Sequence, residues 1–256
     1  MKRILLPLIL LTVSLTAVAK QAGDWLTNYY KSPNPQDFVV EVRKLGNAGI
    51  LANPKHKEYV AVFLSRILAA NPEKTIEWVE SLKSLNEAER EPLIIALWLA
   101  DTKESKAYLT SINALEVLSK KPTNYLEIEI LKGETLDALW AYFFATGADE
   151  PIRKIVSALN YAEYAGSVDA YKNSKKTEAD QQRAWFDALF QSARWSLESN
   201  VRKEPKVAEI CGRLIKEPSL SKHERLWLSL ILSKALPDKY KMMKQESGEW
   251  RLEIYK

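Results

Sequence analysis

The stretch LWAYFFATGADEPIRKIVSAL, residues 139–159, decides the fold class of this chain. Leu136, Leu139, Trp140 and Phe143 recur at helical spacing, and after the turn Ile152, Ile155, Val156 and Leu159 do so again, which puts each set on one stripe of an α-helix. Between them Gly147 tolerates the left-handed conformation that ends a helix. Asp149 is placed to cap the next one, and Pro151 falls in its first turn, where a missing N–H is harmless. Two amphipathic helices joined so briefly fold back antiparallel and press their stripes together. Phe143 and Phe144 are therefore expected in the core rather than lining a pocket.

The same grammar extends outward. Val60, Phe63, Leu64, Ile67 and Leu68 form another helical stripe. Leu68 to Pro72 closes one helix before Ile76, Trp78 and Val79 open another. Trp98 to Thr102 leads into Ala107, Tyr108 and Leu109, and Trp195 to Asn200 precedes Pro205, Val207 and Ile210. Asn34-Pro35, Asn53-Pro54 and Asn71-Pro72 read as N-caps with first-turn prolines, spaced by about one helix and its turn. The expected fold is all-α, with about five or six antiparallel helical hairpins stacked as a short α-solenoid.

Ile67-Leu68-Ala69-Ala70-Asn71-Pro72 followed by Trp78 resembles the junction between tetratricopeptide-type repeats, without their strict 34-residue period. That likeness implies architecture only. Asp137 to Gly147 and Trp195 to Asn200 resemble two blocks of uncharacterised exported helical proteins of Gram-negative bacteria. This second resemblance implies export and a helical fold, and assigns no catalytic residue.

Two stretches depart from the helical pattern. Tyr125 to Ile130 alternates apolar and acidic residues at period two, and with Pro122 and Gly133 it is expected to be an extended linker breaking the helices near 119–133. Ala165 to Thr177 is rich in turn residues and lysine and is expected to be an exposed connection. Lys239 to Lys256 is read as a weakly patterned helix that extends toward a partner.

Residues 1–19, MKRILLPLILLTVSLTAVA, combine a basic start, an apolar run and the small-x-small site Ala17-Val18-Ala19, the pattern of a signal peptide cleaved before Lys20. The apolar run of about 15 residues is shorter than the roughly 20 that span a bilayer, so no stable membrane insertion is expected after cleavage. A periplasmic or secreted product of one helical domain, 20–256, follows. Loss of Lys2 and Arg3 takes two from the net charge of +4, and Lys and Glu are interleaved, so nucleic acid is not an expected partner. Cys211 is the only cysteine, which rules out an intramolecular disulfide.

Chemical motifs are sparse. His56 and His223 stand apart at polar helix starts, and no zinc-ligand spacing or Gly-x-Ser-x-Gly elbow occurs. Ser219-Leu220-Ser221-Lys222 matches Ser-x-x-Lys without its companion elements, and Ser221 with Glu224 reads better as a capping box. Four Glu-Ser pairs, at Glu80, Glu104, Glu198 and Glu246, lack the context of lytic transglycosylases. No catalytic residue, metal ligand or cofactor site is nominated.

Eight tryptophans fall mostly within the apolar stripes and are expected as wedges between hairpins, with Trp25 and Trp250 set apart near the chain ends. Tyr161, Tyr164, Tyr171, Lys172, Lys175 and Lys176 form the candidate interaction surface, since mixed aromatic and basic loops suit partners. The functional expectation is a non-catalytic interaction module that binds another protein or peptide. A peptidoglycan hydrolase with unidentified carboxylates and a binder of lipid or another small ligand are the alternatives.

Overall fold

The structure is a computed structural model, and it describes residues 17–245, 248 and 250–255. The leader expected over 1–19 therefore lies, up to residue 16, outside the described residues. Helices dominate: α1 (Ala17–Asn28), α2 (Phe38–Asn47), α3 (Lys57–Ala70), α4 (Thr75–Ser81), α5 (Glu87–Ala100), α6 (Lys103–Ser111) and α7 (Leu115–Leu118) precede an irregular segment. After it come α8 (Gly133–Thr146), α9 (Asp149–Ser157), a 3₁₀ run (Ala158–Tyr164), α10 (Ser167–Lys172), α11 (Glu178–Lys203), α12 (Pro205–Leu214) and α13 (Lys222–Ala235).

The opening junction folds largely as its residues dictate. Gly147 takes φ 66° and its N–H returns to the Phe143 carbonyl at 2.6 Å, closing α8. The capping of α9 differs from expectation. Ala148 is the N-cap, its N–H bonded to Thr146 Oγ1, and Asp149 is the first helical residue. Asp149 forms an ion pair with Arg213 of α12, so its carboxylate serves a tertiary contact. Phe143 is fully buried and Phe144 nearly so, packed with Trp140 and with Tyr30, whose ring lies 4.8 Å from that of Phe143.

The Asn-Pro pairs require a correction. Asn34 and Asn71 open short 3₁₀ turns without side-chain capping, and Asn53 lies in a turn. The α-helices begin a few residues later, at Phe38, Lys57 and Thr75, and so keep the spacing of the Asn-Pro pairs. Asn71 turns its amide back to the Ile67 carbonyl at 2.8 Å, which satisfies the end of α3 instead of the start of α4.

Packing follows an ordered set of neighbours. α1 lies on α2, α3 on α5, α2 on α4, α4 on α6, and α5 on α6. α8 then lies across α1 and α3. Enclosed from several directions, α3 buries Ala61, Val62 and Ser65 as well as its expected stripe. Arg66 of α3 joins the three: its guanidinium donates to the Leu99 carbonyl at the end of α5 and sits 5.0 Å from the Tyr142 ring of α8. Beyond α9, α11 is the long support for the 3₁₀ run and for α10, α12 and α13.

The segment between α7 and α8 is irregular, as expected, but it is not a free linker. Tyr161 Oη donates to the Ile130 carbonyl at 3.0 Å and Trp185 Nε1 to the Leu131 carbonyl at 2.8 Å. Ile130 is buried, and Tyr125 Oη reaches Glu58 at 2.7 Å. The stretch 165–177, expected as a connection only, contains α10. The C-terminal stretch is corrected most fully: it forms an antiparallel hairpin of β1 (Tyr240–Lys244) and β2 (Trp250–Ile254) instead of a helix. Buried Tyr240 fixes it, its hydroxyl set so closely over Gly212 that a Cβ there would stand 2.5 Å from the oxygen.

Candidate functional site

A shallow cleft lies where the chain doubles back after α5. Asp101 ends α5 in the left-handed conformation, and Thr102 Oγ1 accepts from the Ser105 N–H to start α6. Asn113, also left-handed, leads into α7. This path returns Lys120 to Trp98, whose Nε1 donates to the Lys120 carbonyl at 3.0 Å. The result is a cleft of about 340 Å³ with Trp98, Leu118 and Pro122 as open apolar surface, buried Leu109 in its wall, and Lys106, Lys120 and Lys121 among its polar groups. Lys106 pairs with Asp101 at 2.7 Å, and Lys120 approaches Glu116 at 3.4 Å. Both pairs are solvent-exposed, so either amine exchanges its partner at small cost. Sequence reasoning took Trp98 as a wedge and passed over this cleft. The signal available was Lys120-Lys121-Pro122, a basic pair held against a proline just after a short helix.

The six predicted surface residues fall into two groups. Tyr161 and Tyr164 belong to packing: both stack on Phe186 of α11, with centroids 4.8 and 5.1 Å away. Tyr171 is half-buried in α10, and Lys172, Lys175 and Lys176 are exposed. Lys172 pairs with Asp169 at 2.7 Å within α10, and Lys176 adopts φ 57° ahead of the Thr177 cap of α11. The aromatic half thus supports the fold, and the lysines carry what is open to water.

The tryptophans divide in a way the wedge expectation does not anticipate. Trp78 and Trp140 are buried, and Trp25 packs edge-on to Phe63 and Tyr29. Trp185, Trp195 and Trp250 are exposed, Trp195 by 65% and Trp250 by 59%. Trp195 stands on α11 beside Arg202 and Lys203 in a small hollow. Leaving so much indole in water forgoes the stabilisation that burial would bring.

Among the carboxylates Asp137 of α8 is distinct. Crowding by surrounding protein and the nearby charges of Glu134 and Glu58 push its carboxyl up to about 6. The side chain still reaches water, so the charge is only partly desolvated. Its neighbour Glu58 is held by Tyr125 Oη. Asp137 lines neither of the two hollows described above.

The remaining motifs serve structure. Ser221 and Glu224 form the expected capping box of α13. Glu80 and Glu198 are engaged in ion pairs with lysine or arginine, and the pair at Glu246 lies outside the described residues. Burial pushes the Cys211 thiol up to about 12, which leaves it unreactive near neutral pH. Among the described residues no helix is long and apolar enough to cross a membrane, and no group of three or more His, Cys, Asp and Glu side chains could hold a metal ion.

Fold and surface together define a mostly helical protein with an apolar, lysine-bearing cleft and several exposed tryptophans. No family model, no characterised protein and no solved structure matches the chain.

Proposed function

We propose that the chain is an exported, non-catalytic interaction module of a bacterial envelope, periplasmic or secreted, which binds another protein or peptide. The observation that carries this reading is the exposure of Trp185 and Trp195 on α11 and of Trp250 on the C-terminal hairpin. Such side chains supply large contact area to a partner while losing little conformational entropy. The leader-like sequence of residues 1–19 and the likeness to exported helical proteins support the location.

A short tetratricopeptide-like stack is the proposed arrangement of the first three helix pairs, supported by the contacts of α3 with α5, of α2 with α4 and of α4 with α6. In that arrangement α8 covers the face of α1 and α3 that a ligand would otherwise occupy. The binding surface is then on the outside of the stack. In-cell crosslinking of a tagged chain, read by mass spectrometry of envelope and medium, tests the proposal. A reproducible protein partner in those fractions supports it; crosslinks to glycan alone, or none, overturn it.

A second reading, a peptidoglycan hydrolase, draws on Asp137, because a carboxyl lifted to about 6 suits a general acid. Release of muropeptides from purified peptidoglycan by the wild-type chain and not by Asp137→Asn would establish it. No release by either removes it. A lipid-binding role has less support, since the Trp98 cleft opens to solvent and carries three lysines.

A further inference from the structure

We propose that the Trp98 cleft binds an acidic peptide segment in which a carboxylate adjoins a large apolar side chain, an inference that rests on the interaction-module reading above. The argument begins with charge. Lys106, Lys120 and Lys121 face the cleft with Asp101 as the only acidic residue among its lining groups. Lys106 already answers Asp101, which leaves the Lys120–Lys121 side as the anion-seeking end. Among the described residues the Lys120 amine is held only by the 3.4 Å approach to Glu116, itself highly exposed, and an incoming carboxylate can replace it without stranding a buried charge.

Shape supplies the second constraint. The lysines share the cleft with Trp98 and Leu118, which are half-buried and supply its open apolar surface, and with Leu109 in its wall. Leu109 is fully buried and part of the core, and the Trp98 indole is pinned by its bond to the Lys120 carbonyl. The floor is therefore pre-formed, and a ligand loses less entropy in binding to it. A free phosphate would satisfy the amines and leave the apolar floor in water. An acyl chain alone would cover the floor and leave the lysine amines without an anion. One large apolar side chain beside an Asp or Glu uses both features, and the open mouth lets the peptide backbone run on across the surface.

The position also suits docking. Leu115 and Ile112, both exposed, flank the cleft-forming turn between α6 and α7, so a peptide leaving the cleft meets further apolar surface. Lys55 and Lys216 are exposed, line neither hollow and provide an internal control for nonspecific charge attraction.

The test uses the purified chain and a fluorescein-labelled peptide of interspersed leucine and glutamate, compared with the same peptide carrying glutamine for glutamate. Fluorescence anisotropy is expected to report saturable binding of the acidic peptide, at least tenfold tighter than the glutamine form and weakening as salt rises. Lys120→Glu/Lys121→Glu should abolish it, Trp98→Ala should weaken it at least tenfold, and Lys55→Ala/Lys216→Ala should leave it unchanged. Circular dichroism of each variant checks that the helices persist, and Trp98→Phe, which keeps an aromatic floor, should retain most of the binding. Absence of binding, equal binding of the two peptides, indifference to the charge reversal, or full competition by inorganic phosphate would each overturn the assignment. Binding of anionic phospholipid vesicles through the cleft lysines in place of the peptide would overturn it as well. The broader reading fails separately: crosslinks that persist in the Lys120→Glu/Lys121→Glu chain discard the cleft and keep the module, whereas loss of every protein partner in the wild-type chain discards the module.

Discussion

The α8–α9 junction and the C-terminal hairpin are both short turns between paired elements, yet their side chains meet opposite environments. At the junction Phe143 is fully buried, and Gly147 is pressed by Tyr30 from a distant part of the chain. In the hairpin Trp250 and Ile254 face water, and a Cβ added at Gly248 would meet nothing within 4 Å. A turn enclosed by the core has its residue types dictated by tertiary contact. A turn on the surface leaves its aromatics unpacked, and under the proposed interaction role such residues are the candidate contacts.

The largest expected effect comes from emptying the enclosed region. Phe143→Ala removes a ring packed against Tyr30, Trp140 and Phe144, and should lower unfolding free energy by about 3–5 kcal/mol. Urea denaturation measures it. Against a typical total of about 5–15 kcal/mol, the variant would be close to unfolding. A loss under about 1 kcal/mol would mean that the junction is no more constrained than the hairpin.

Next is the backbone of the two turns. Gly147→Ala places a Cβ 3.1 Å from Tyr30 Cδ2 at φ 66°, whereas Gly248→Ala at φ 85° meets nothing within 4 Å. Both bear the left-handed penalty, about 1 kcal/mol. Only Gly147→Ala also displaces Tyr30, whose hydroxyl bonds Glu204 at 2.7 Å, so it should cost about 1–2 kcal/mol in total. Equal losses in the two variants would show that Tyr30 yields freely.

These contrasts explain what the sequence makes legible. Where apolar spacing, a left-handed glycine and a first-turn proline coincide, as from Leu136 to Leu159, local and tertiary preferences agree and the helices can be read directly. The box at Ser221 and Glu224 is legible for the same reason, since all its partners lie within one turn. Asp149 is misread because its carboxylate is claimed by Arg213, far away in sequence. The coverage of α3 by α8 is equally nonlocal. Tyr240 to Lys244 carries two methionines and two lysines with no clear alternation, and its strand form depends on pairing with β2 and on Tyr240 settling over Gly212. The Trp98 cleft is created by three turns in succession, and no single one of them announces it.

A smaller effect, with a pH signature, lies on the open side of α8. Asp137 has its carboxyl raised from 3.8 to about 6, so between those values the folded chain holds more protons than the unfolded one. Stability therefore falls as pH rises through that window and stays lower above it. Asp137→Asn removes the repulsion with Glu134 and Glu58, and should stabilise the fold by about 1 kcal/mol at pH 8 after allowance for water access, with the gain fading toward about pH 4. Thermal unfolding of both proteins across that range measures it. Destabilisation by the variant at pH 8 would mean that the ionised carboxylate has a favourable partner, and the enclosed and open sides of α8 would then differ less than their burial indicates.

The smallest effect is the one that sharpens the comparison most. Trp250 lies opposite Lys244 in the ladder and is 59% exposed, so Trp250→Ala should change unfolding free energy by less than about 0.5 kcal/mol. Tyr240, not Trp250, holds the hairpin on α12, and the hairpin should persist in the variant. A stability loss above about 1 kcal/mol would give Trp250 a structural role and remove the physical ground for treating its exposure as a contact signal. A neutral change accompanied by loss of crosslinked partners would assign the hairpin to recognition. A neutral change with every crosslink intact would leave the Trp195 face and the Trp98 cleft as the surfaces that carry binding, because they expose apolar area beside unburied charge in the same way.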